Sequence, residues 1–355
     1  MRKLVIDRAA IKNNLTVIKD RAAGAAIYGV HTGDGQGVGT AALAQLLRDE
    51  GIGRFAVSEV SEAEALRQAG FVDEEILMLR ATTDREELER LVDLNVVCTV
   101  SSVDTGMALN ALAGNRSTVA EAHIQVDTGM GFGGFLVSEP EKLLLAYRSM
   151  PNVALSGVYT QLHAARPNDP QAKRQLEQFQ LALDAIHQAG FETGAVHAAG
   201  SFALLHGLVP ELDGVRAGSA ILGRCRRTRD DGLKTVGFGQ APLTEVRWLP
   251  KGHVLGVDRP VTLKKPTRVA VLPVGYQNGF GVTRPRETGL LAAIARWRKN
   301  NRRTVRLGSQ RARVLGGLGA SELILDVTDV KCSVGDLATF EIDPLFARGF
   351  QAEFR

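Results

Sequence analysis

Short apolar runs alternate with amphipathic segments from the start of the chain to about residue 229, at intervals of about 25 residues. Repeated strand and helix units of this kind form a parallel sheet, because a parallel pair needs a crossover segment between its strands. Eight candidate strands fit a closed TIM-type (β/α)8 barrel. They are Ala26–His31, Arg54–Ser58, Ile76–Arg80, Val96–Val100, His123–Val126, Ala154–Tyr159, Ala195–Ala198 and a short strand ending at Arg216.

The pattern changes after Arg229 to shorter alternating strands that are broken by Gly and Pro. The segment between Arg224 and Gly239 is rich in charge and glycine and poor in apolar residues. We therefore expect two domains, an α/β barrel over residues 1–229 and a mostly β C-terminal domain over residues 230–355.

Composition excludes several classes of protein. The chain has 355 residues, 45% of them hydrophobic, which is enough for two full cores. It contains no apolar run near the length of a membrane helix and no signal-peptide pattern, so we expect a cytoplasmic protein without membrane contact. Two arginine clusters, around residues 224–229 and 296–313, lack the interleaved aromatic residues of single-strand binders, so nucleic-acid binding is not expected. The sequence assigns no role to the segment 296–313.

The stretch from Ala25 to Gly39 reads AAIYGVHTGDGQGVG, in which an apolar strand gives way to four alternating glycines and then to a helical pattern. A glycine-rich loop between a strand and a helix brings backbone amides close to a bound group. Such a loop favours a phosphate or a carboxylate as the ligand. In a barrel, this loop opens at the carboxyl ends of the strands, where binding sites lie.

Several further motifs follow in order along the chain. They are DTGMG from Asp127, YTQLH from Tyr159, HAAGS from His197, VRAGSAILGR from Val215, LPKGH from Leu249, VGYQNGF from Val274 and the closing EFR. Together with IYGVHTGDGQGVG, this series resembles the alanine racemase family of fold-type III pyridoxal-phosphate (PLP) enzymes. The resemblance covers nearly the whole chain and implies a barrel, a β domain and a homodimer in which each site is shared by two subunits.

The resemblance also implies roles for individual residues. Tyr276 matches the tyrosine that acts as a catalytic acid or base from the second subunit. His197 and Arg216 match the histidine and the arginine near the cofactor ring, Ser201 matches a phosphate-binding serine, and Gly218 and Ser219 would be backbone donors beside it. Taken alone, each of these residues also has an ordinary structural explanation, such as a helix cap for Ser201.

The chain departs from the family at positions that face the cofactor and the substrate. The family's cofactor lysine falls on Thr32, and its phosphate-binding tyrosine falls on Gln36. Further departures are Phe132, Gln161, Gly200, Asn278, Ala320 and Phe354. A threonine hydroxyl cannot form an aldimine and is not a base near neutral pH. We therefore expect no covalent PLP, no other cofactor and only a residual phosphate or anion site at Ser201, Arg216, Gly218, Ser219 and His197.

The expected mouth of the barrel also contains polar residues that the family motifs do not include. His31 on the first loop and His163 on the loop after the sixth strand are candidates for catalytic acid or base groups together with Tyr276. Two histidines and an aspartate are also side chains of the types that bind zinc or iron. Their spacing is not diagnostic, because His31 should point away from Thr32 along the strand. We therefore predict no metal.

Three functional interpretations remain open. The first is a pseudoenzyme or binding protein for an amino-acid-like or anionic small molecule, with a recast pocket and a homodimeric assembly. The second is an enzyme with different, PLP-independent acid and base chemistry in the same cavity. The third is a non-catalytic subunit that forms a heteromer with a true amino-acid racemase. Fold alone cannot decide among them.

Overall fold

The computed structural model describes all residues except 164–167, 209–211, 226–230, 257–259, 284–288 and 290–302. It divides into two compact units. One consists of Met1–Arg8 with Val236–Arg355, and the other is Ala9–Thr235. The predicted domain boundary between residues 229 and 230 lies outside the described residues and stays a prediction, as does the role of the arginines at 296–302.

The chain's elements are as follows. The helices are α1 Arg8–Ala22, α2 Thr32–Gln36, α3 Thr40–Asp49, α4 Val60–Gln68, α5 Arg85–Asp93, α6 Val103–Asn115, α7 Pro140–Ser149, α8 Pro170–Gln188 and α9 Ser201–Leu205. The strands are β1 Lys3–Ile6, β2 Ala26–Val30, β3 Arg54–Val57, β4 Glu75–Met78, β5 Cys98–Val100, β6 Ala120–Asp127, β7 Phe135–Leu136, β8 Val153–Tyr159, β9 Ala195–Gly200, β10 Gly214–Ala217, β11 Phe238–Pro242, β12 Glu245–Leu249, β13 Val254–Leu255, β14 Val261–Thr262, β15 Thr267–Leu272, β16 Thr304–Leu307, β17 Gln310–Leu315, β18 Leu323–Asp326, β19 Leu337–Glu341 and β20 Gln351–Phe354.

Eight parallel strands form the barrel, in the order β4-β3-β2-β10-β9-β8-β6-β5, and the short β7 pairs with β6. A parallel bridge between Leu77 and Val97 joins the two ends of this order and nearly closes the sheet. Each of the eight strands predicted from the sequence is present, so the predicted (β/α)8 barrel is confirmed.

Alternate residues of the barrel strands face inward and outward. The inward residues Tyr28, Ala56, Leu77 and Val97 form a buried cluster. On the outer side of β2, a side chain at Gly29 would lie 2.3 Å from Leu47 Cδ1, so glycine there allows α3 to pack close to the sheet. This alternation decides which residues can reach a ligand inside the barrel mouth.

The second unit is a mostly β domain, as predicted. Its main sheet has the order β12-β15-β18-β17-β16-β19-β11-β1-β20. The pairings in this sheet are antiparallel except for the parallel pair of β1 and β20. Strand β1 comes from the amino-terminal end of the chain and lies between β11 and β20. Within the described residues, no helix is long and apolar enough to cross a membrane.

Candidate functional site

The turn after β2 places Thr32 at the carboxyl ends of the barrel strands. Five consecutive residues, from Gly33 to Gly37, have φ values between 55° and 85°. This left-handed run explains the alternating glycines, because residues with a Cβ rarely adopt such φ values. Asp34 holds the turn, since its Oδ1 accepts hydrogen bonds from the Thr40 amide at 2.9 Å and the Thr40 hydroxyl at 3.0 Å.

Thr32 does not stand alone at the mouth. Its Oγ1 lies 2.6 Å from the hydroxyl of Ser58, the residue that follows β3. The buried Gln36 donates from Nε2 to the Thr32 carbonyl at 3.0 Å. The position that the resemblance gives to a lysine is therefore a paired hydroxyl. Sequence reasoning missed Ser58, although its place directly after a barrel strand was a signal for a site residue.

Arg216, His197 and His123 form a buried chain of hydrogen bonds inside the barrel. Arg216 Nη1 lies 2.5 Å from His197 Nδ1, and His197 Nε2 lies 2.9 Å from His123 Nδ1. A guanidinium can only donate, so His197 Nδ1 must accept. A neutral His197 therefore carries its proton on Nε2 and donates it to His123. Sequence reasoning missed His123, whose inward position in a buried strand was the available signal.

Burial and the charge of Arg216 determine the protonation states of these three side chains. Desolvation, with a contribution from the Arg216 charge, lowers the pKa of His197 well below its ordinary value and the pKa of His123 to about 4. Burial also lowers the pKa of Arg216 to about 10, which leaves it charged at neutral pH. The barrel interior thus holds one cation next to two neutral imidazoles.

Arg216 is fixed by neutral acceptors on its other terminal nitrogen. Nη2 donates to the Thr160 carbonyl at 2.6 Å and to Gln161 Oε1 at 2.9 Å. Its guanidinium lies 5.1 Å from the centre of the Tyr159 ring, in a cation–π contact. These contacts hold the guanidinium rigidly at the carboxyl ends of β8, β9 and β10.

Ser201 and the amides that follow β10 form a hydrogen-bonded cradle. Ser201 Oγ accepts hydrogen bonds from the Gly218 amide at 3.1 Å and from the Ala220 amide at 3.2 Å. Two accepted bonds leave the hydroxyl proton free to donate to a ligand. A side chain at Gly218 would lie 3.1 Å from Val30 Cβ and 3.3 Å from Gln36 Nε2, which accounts for a glycine there. Ser219, predicted as a donor, is partly exposed beside Gly218.

The DTGMG loop is organised by Asp127. Its carboxylate accepts hydrogen bonds from the amides of Gly129, Met130 and Gly131 at 2.8 to 3.2 Å. Phe132, which follows this loop, is 77% exposed and has no donor group. The bonds to Asp127 therefore fix the backbone of the loop, and the exposed residue after it is apolar.

Two of the three predicted catalytic residues, His31 and His163, lie in the barrel unit, and the third, Tyr276, lies in the β unit. His31 is fully buried on the outer side of β2, with its ring 5.0 Å from the ring of Phe55. It therefore points away from the inward-facing Tyr28, whose ring stacks on His197. The structure gives no support for His31 as a catalytic group, because the ring cannot reach a ligand in the mouth.

His163 and Tyr276 are both partly exposed. His163 Nδ1 lies 3.3 Å from Asp169 Oδ2 at the carboxyl end of the barrel. Tyr276 is 51% exposed on a 3-10 turn of the β unit, Tyr276–Asn278, and its amide donates to the Gly319 carbonyl. Among the described residues, no group of three or more His, Cys, Asp or Glu side chains could hold a metal ion.

Solved structures of the same fold were compared with the whole chain. An alanine racemase from Clostridium difficile 630 matches with a TM-score of 0.86 at 21% identity, over 100% of this chain and 95% of that chain. The alanine racemase of Streptomyces lavendulae matches with a TM-score of 0.86 at 20% identity, over 100% and 97%. At these identities, the likeness shows the fold.

One expectation from the sequence is wrong. Thr32 in place of the family's lysine led us to expect no PLP. However, an alanine racemase from Bartonella henselae has covalently bound pyridoxal phosphate, and it matches 100% of this chain and 99% of its own with a TM-score of 0.81 at 20% identity. The family fold therefore carries this cofactor, and its absence does not follow from a single position.

The residues present fit the phosphate and the ring of that cofactor. Ser201 accepts from two amides and so offers a free hydroxyl proton for the phosphate. Arg216 offers a buried cation for the ring or for an anionic substituent. At the remaining end of the cavity, Thr32 supplies a hydroxyl that is shared with Ser58.

Sequence comparison extends this likeness to the family. An alanine racemase from Geobacter sp. (strain M21) is 27% identical over 345 residues, or 94% of this chain and 86% of its own. The alanine racemase of Desulfosudis oleivorans is 30% identical over 290 residues, or 78% and 74%. The family models described as alanine racemase N-terminal and C-terminal domains match residues 6–225 and 239–343. The chain therefore belongs to the alanine racemase family.

Proposed function

We propose that this chain binds a phosphate-bearing, amino-acid-like ligand in the barrel mouth and has lost the racemisation of alanine. The single observation that carries the proposal is the hydroxyl of Thr32, held 2.6 Å from the hydroxyl of Ser58 where the resemblance expects a lysine amine. The Ser201 cradle and the buried Arg216 support the binding of an anionic ligand. A pocket that binds without racemising agrees with both features.

Racemisation needs a proton acceptor and a proton donor on opposite faces of the α-carbon. When bound, PLP supplies the electron sink for the α-carbanion. Thr32 cannot serve as the acceptor on its face, because an aliphatic hydroxyl is not a base near neutral pH. His163 and Tyr276 stay candidates for proton transfer from other directions.

The remaining residues would bind and orient the ligand. The Ser201 hydroxyl would donate to the phosphate, and Arg216 would face the ring with its charge intact. The rigid hydrogen bonds of Arg216 to His197 and Thr160 would keep this cation from moving when the ligand binds. We further propose a homodimer in which Tyr276 of each chain acts at the site of the other.

The experiment combines a binding assay with an activity assay. Equilibrium dialysis with PLP should show saturable binding that Ser201→Ala weakens by at least about tenfold, the usual value of one hydrogen bond to a charged group. Chiral chromatography of D- and L-alanine incubated with the PLP-loaded protein should show no interconversion above a protein-free PLP blank. Enzymatic interconversion would refute the loss of racemisation, and absence of saturable binding would refute the ligand-binding function.

A further inference from the structure

We propose that Gln161 recognises a carboxylate on the ligand, with its amide nitrogen as a fixed donor beside Gly200. This inference rests on the proposed function and identifies the ligand more closely, as a molecule with an amino-acid carboxylate in addition to its phosphate. It follows from the charge of Arg216, the orientation of the Gln161 amide and the space at Gly200.

The first step is the unneutralised charge. Within the described residues, the hydrogen-bond acceptors of Arg216 are all neutral, and they are His197 Nδ1, Gln161 Oε1 and the carbonyls of Thr160, His197 and Ala198. A buried cation without a carboxylate partner leaves a positive potential in a site of low dielectric. The mouth next to Arg216 and Gln161 therefore favours an anionic group on the ligand.

The second step is the orientation of the Gln161 side chain. Oε1 accepts the hydrogen bond from Arg216 Nη2 at 2.9 Å, so a cation fixes which end of the amide carries the oxygen. Nε2 donates to the Leu162 carbonyl over a long 3.4 Å. A primary amide has two N–H donors, and one bond uses only one of them. A donor of known orientation thus remains beside the cation.

The third step is the space in front of this donor. Gly200 has a φ of −87° and extended geometry, which any residue could adopt, so backbone conformation does not require glycine there. A Cβ at this position would lie 3.2 Å from Gln161 Nε2, closer than ordinary van der Waals contact. Glycine therefore keeps the approach to the amide nitrogen open.

The fourth step assigns the two anionic groups of the ligand. Ser201 directly follows Gly200, and its free hydroxyl proton suits a phosphate. The Gln161 amide offers a single fixed donor next to a cation, which matches a planar carboxylate. A ligand with both groups would be held at two adjacent points of the strand end, and a ligand without the carboxylate would use one of them.

The test compares two stable probes that need no attachment to the protein. One is N-(5′-phosphopyridoxyl)-DL-alanine, and the other is N-(5′-phosphopyridoxyl)ethylamine, which lacks the carboxylate. Isothermal titration calorimetry of the full chain should show that the alanine probe binds about 10- to 100-fold more tightly, as expected for a hydrogen bond to a charged group.

Gln161→Leu should abolish this preference, because it removes the amide donor for the carboxylate while the Ser201 hydroxyl that binds the phosphate is untouched. Gln161→Glu should invert the preference by placing a negative charge against the carboxylate and neutralising Arg216. The exposed glutamine at the end of α8 gives the matched control Gln188→Leu, which should behave as the unmodified chain.

Gly200→Ala tests the same contact without altering Gln161. If Gln161→Leu fails to fold, this variant alone tests whether the Gln161 amide recognises the carboxylate. It should reduce the preference in the unmodified chain and have no further effect with Gln161→Leu. Equal binding of both probes by the unmodified chain, or a preference that survives the folded Gln161→Leu or Gly200→Ala variant, would overturn this inference and leave the proposed function standing. Failure of both probes to bind would instead remove the proposed function.

Discussion

Acid should destabilise the barrel unit through His31, and the structure gives the size of the effect. His31 is fully buried, and its ring lies against the ring of Phe55. Desolvation lowers its pKa from 6.5 to about 4, because the backbone of Thr40 and the Asp34 carboxylate offset only part of the cost of burying a charged ring.

The sign follows from the two pKa values. The unfolded chain binds a proton at His31 near pH 6.5, while the folded chain resists protonation until about pH 4. The folded state therefore has its full stability above pH 6.5 and loses it progressively as the pH falls towards 4. At pH 5, the loss from this one residue amounts to about 2 kcal/mol, and below pH 4 it reaches about 3.4 kcal/mol.

The assay is urea unfolding at pH 8.0, 6.5 and 5.0, followed by circular dichroism at 222 nm. The helical signal reports on the barrel, because the described helices of eight or more residues belong to it almost entirely. His31→Leu keeps a similar side-chain volume and removes the titrating group. The variant should lose about 2 kcal/mol less of its free energy of unfolding between pH 8.0 and pH 5.0 than the unmodified chain.

His253, which is exposed in the β unit, supplies the control His253→Gln, whose pH dependence should match that of the unmodified chain. His123 and His197 should retain their own acid sensitivity in all of these proteins. An equal loss of stability in His31→Leu and the unmodified chain would show that His31 is not the group that titrates.

Three further predictions concern the site. Thr32→Lys alone should not restore alanine racemisation, measured by chiral chromatography with PLP, because Gln36, Phe132 and Gln161 still differ from the family; interconversion above the blank would contradict this. Gly157→Ala should lower the free energy of unfolding by about 1 to 3 kcal/mol, since the new Cβ would lie 2.6 Å from the His123 ring, whereas Gly53→Ala, whose Cβ would lie 3.7 Å from Glu74, should cost less than 1 kcal/mol. Ser201→Ala should cost about 1 to 3 kcal/mol in urea unfolding even without ligand, because the amides of Gly218 and Ala220 would lose their acceptor; an unchanged midpoint would argue against the cradle.

Local patterns predicted most of the barrel because its strands are short buried runs with helices of regular spacing between them. The family resemblance pointed to Ser201, while Thr32 and Arg216 could also be placed by pattern, since residues at the carboxyl ends of parallel strands meet at one end of a barrel. Local patterns could not locate the contact between Gln161 and Arg216 or that between His197 and His123, because both contacts depend on how neighbouring strands are staggered. His31 shows the same limit, as alternation along β2 predicts its direction but not the apolar surroundings that Phe55 provides.

The place of β1 has a consequence for the biosynthesis of the protein. Residues 3–6 leave the ribosome long before their partners, which lie on β11 and, more than 340 residues later, on β20. The barrel can therefore complete its own sheet during translation, while the β unit must wait for β20 before the strand order of its sheet can form. A fragment that starts at residue 236 would lack the strand that joins β11 to β20, and it would expose two unpaired strand edges to neighbouring chains.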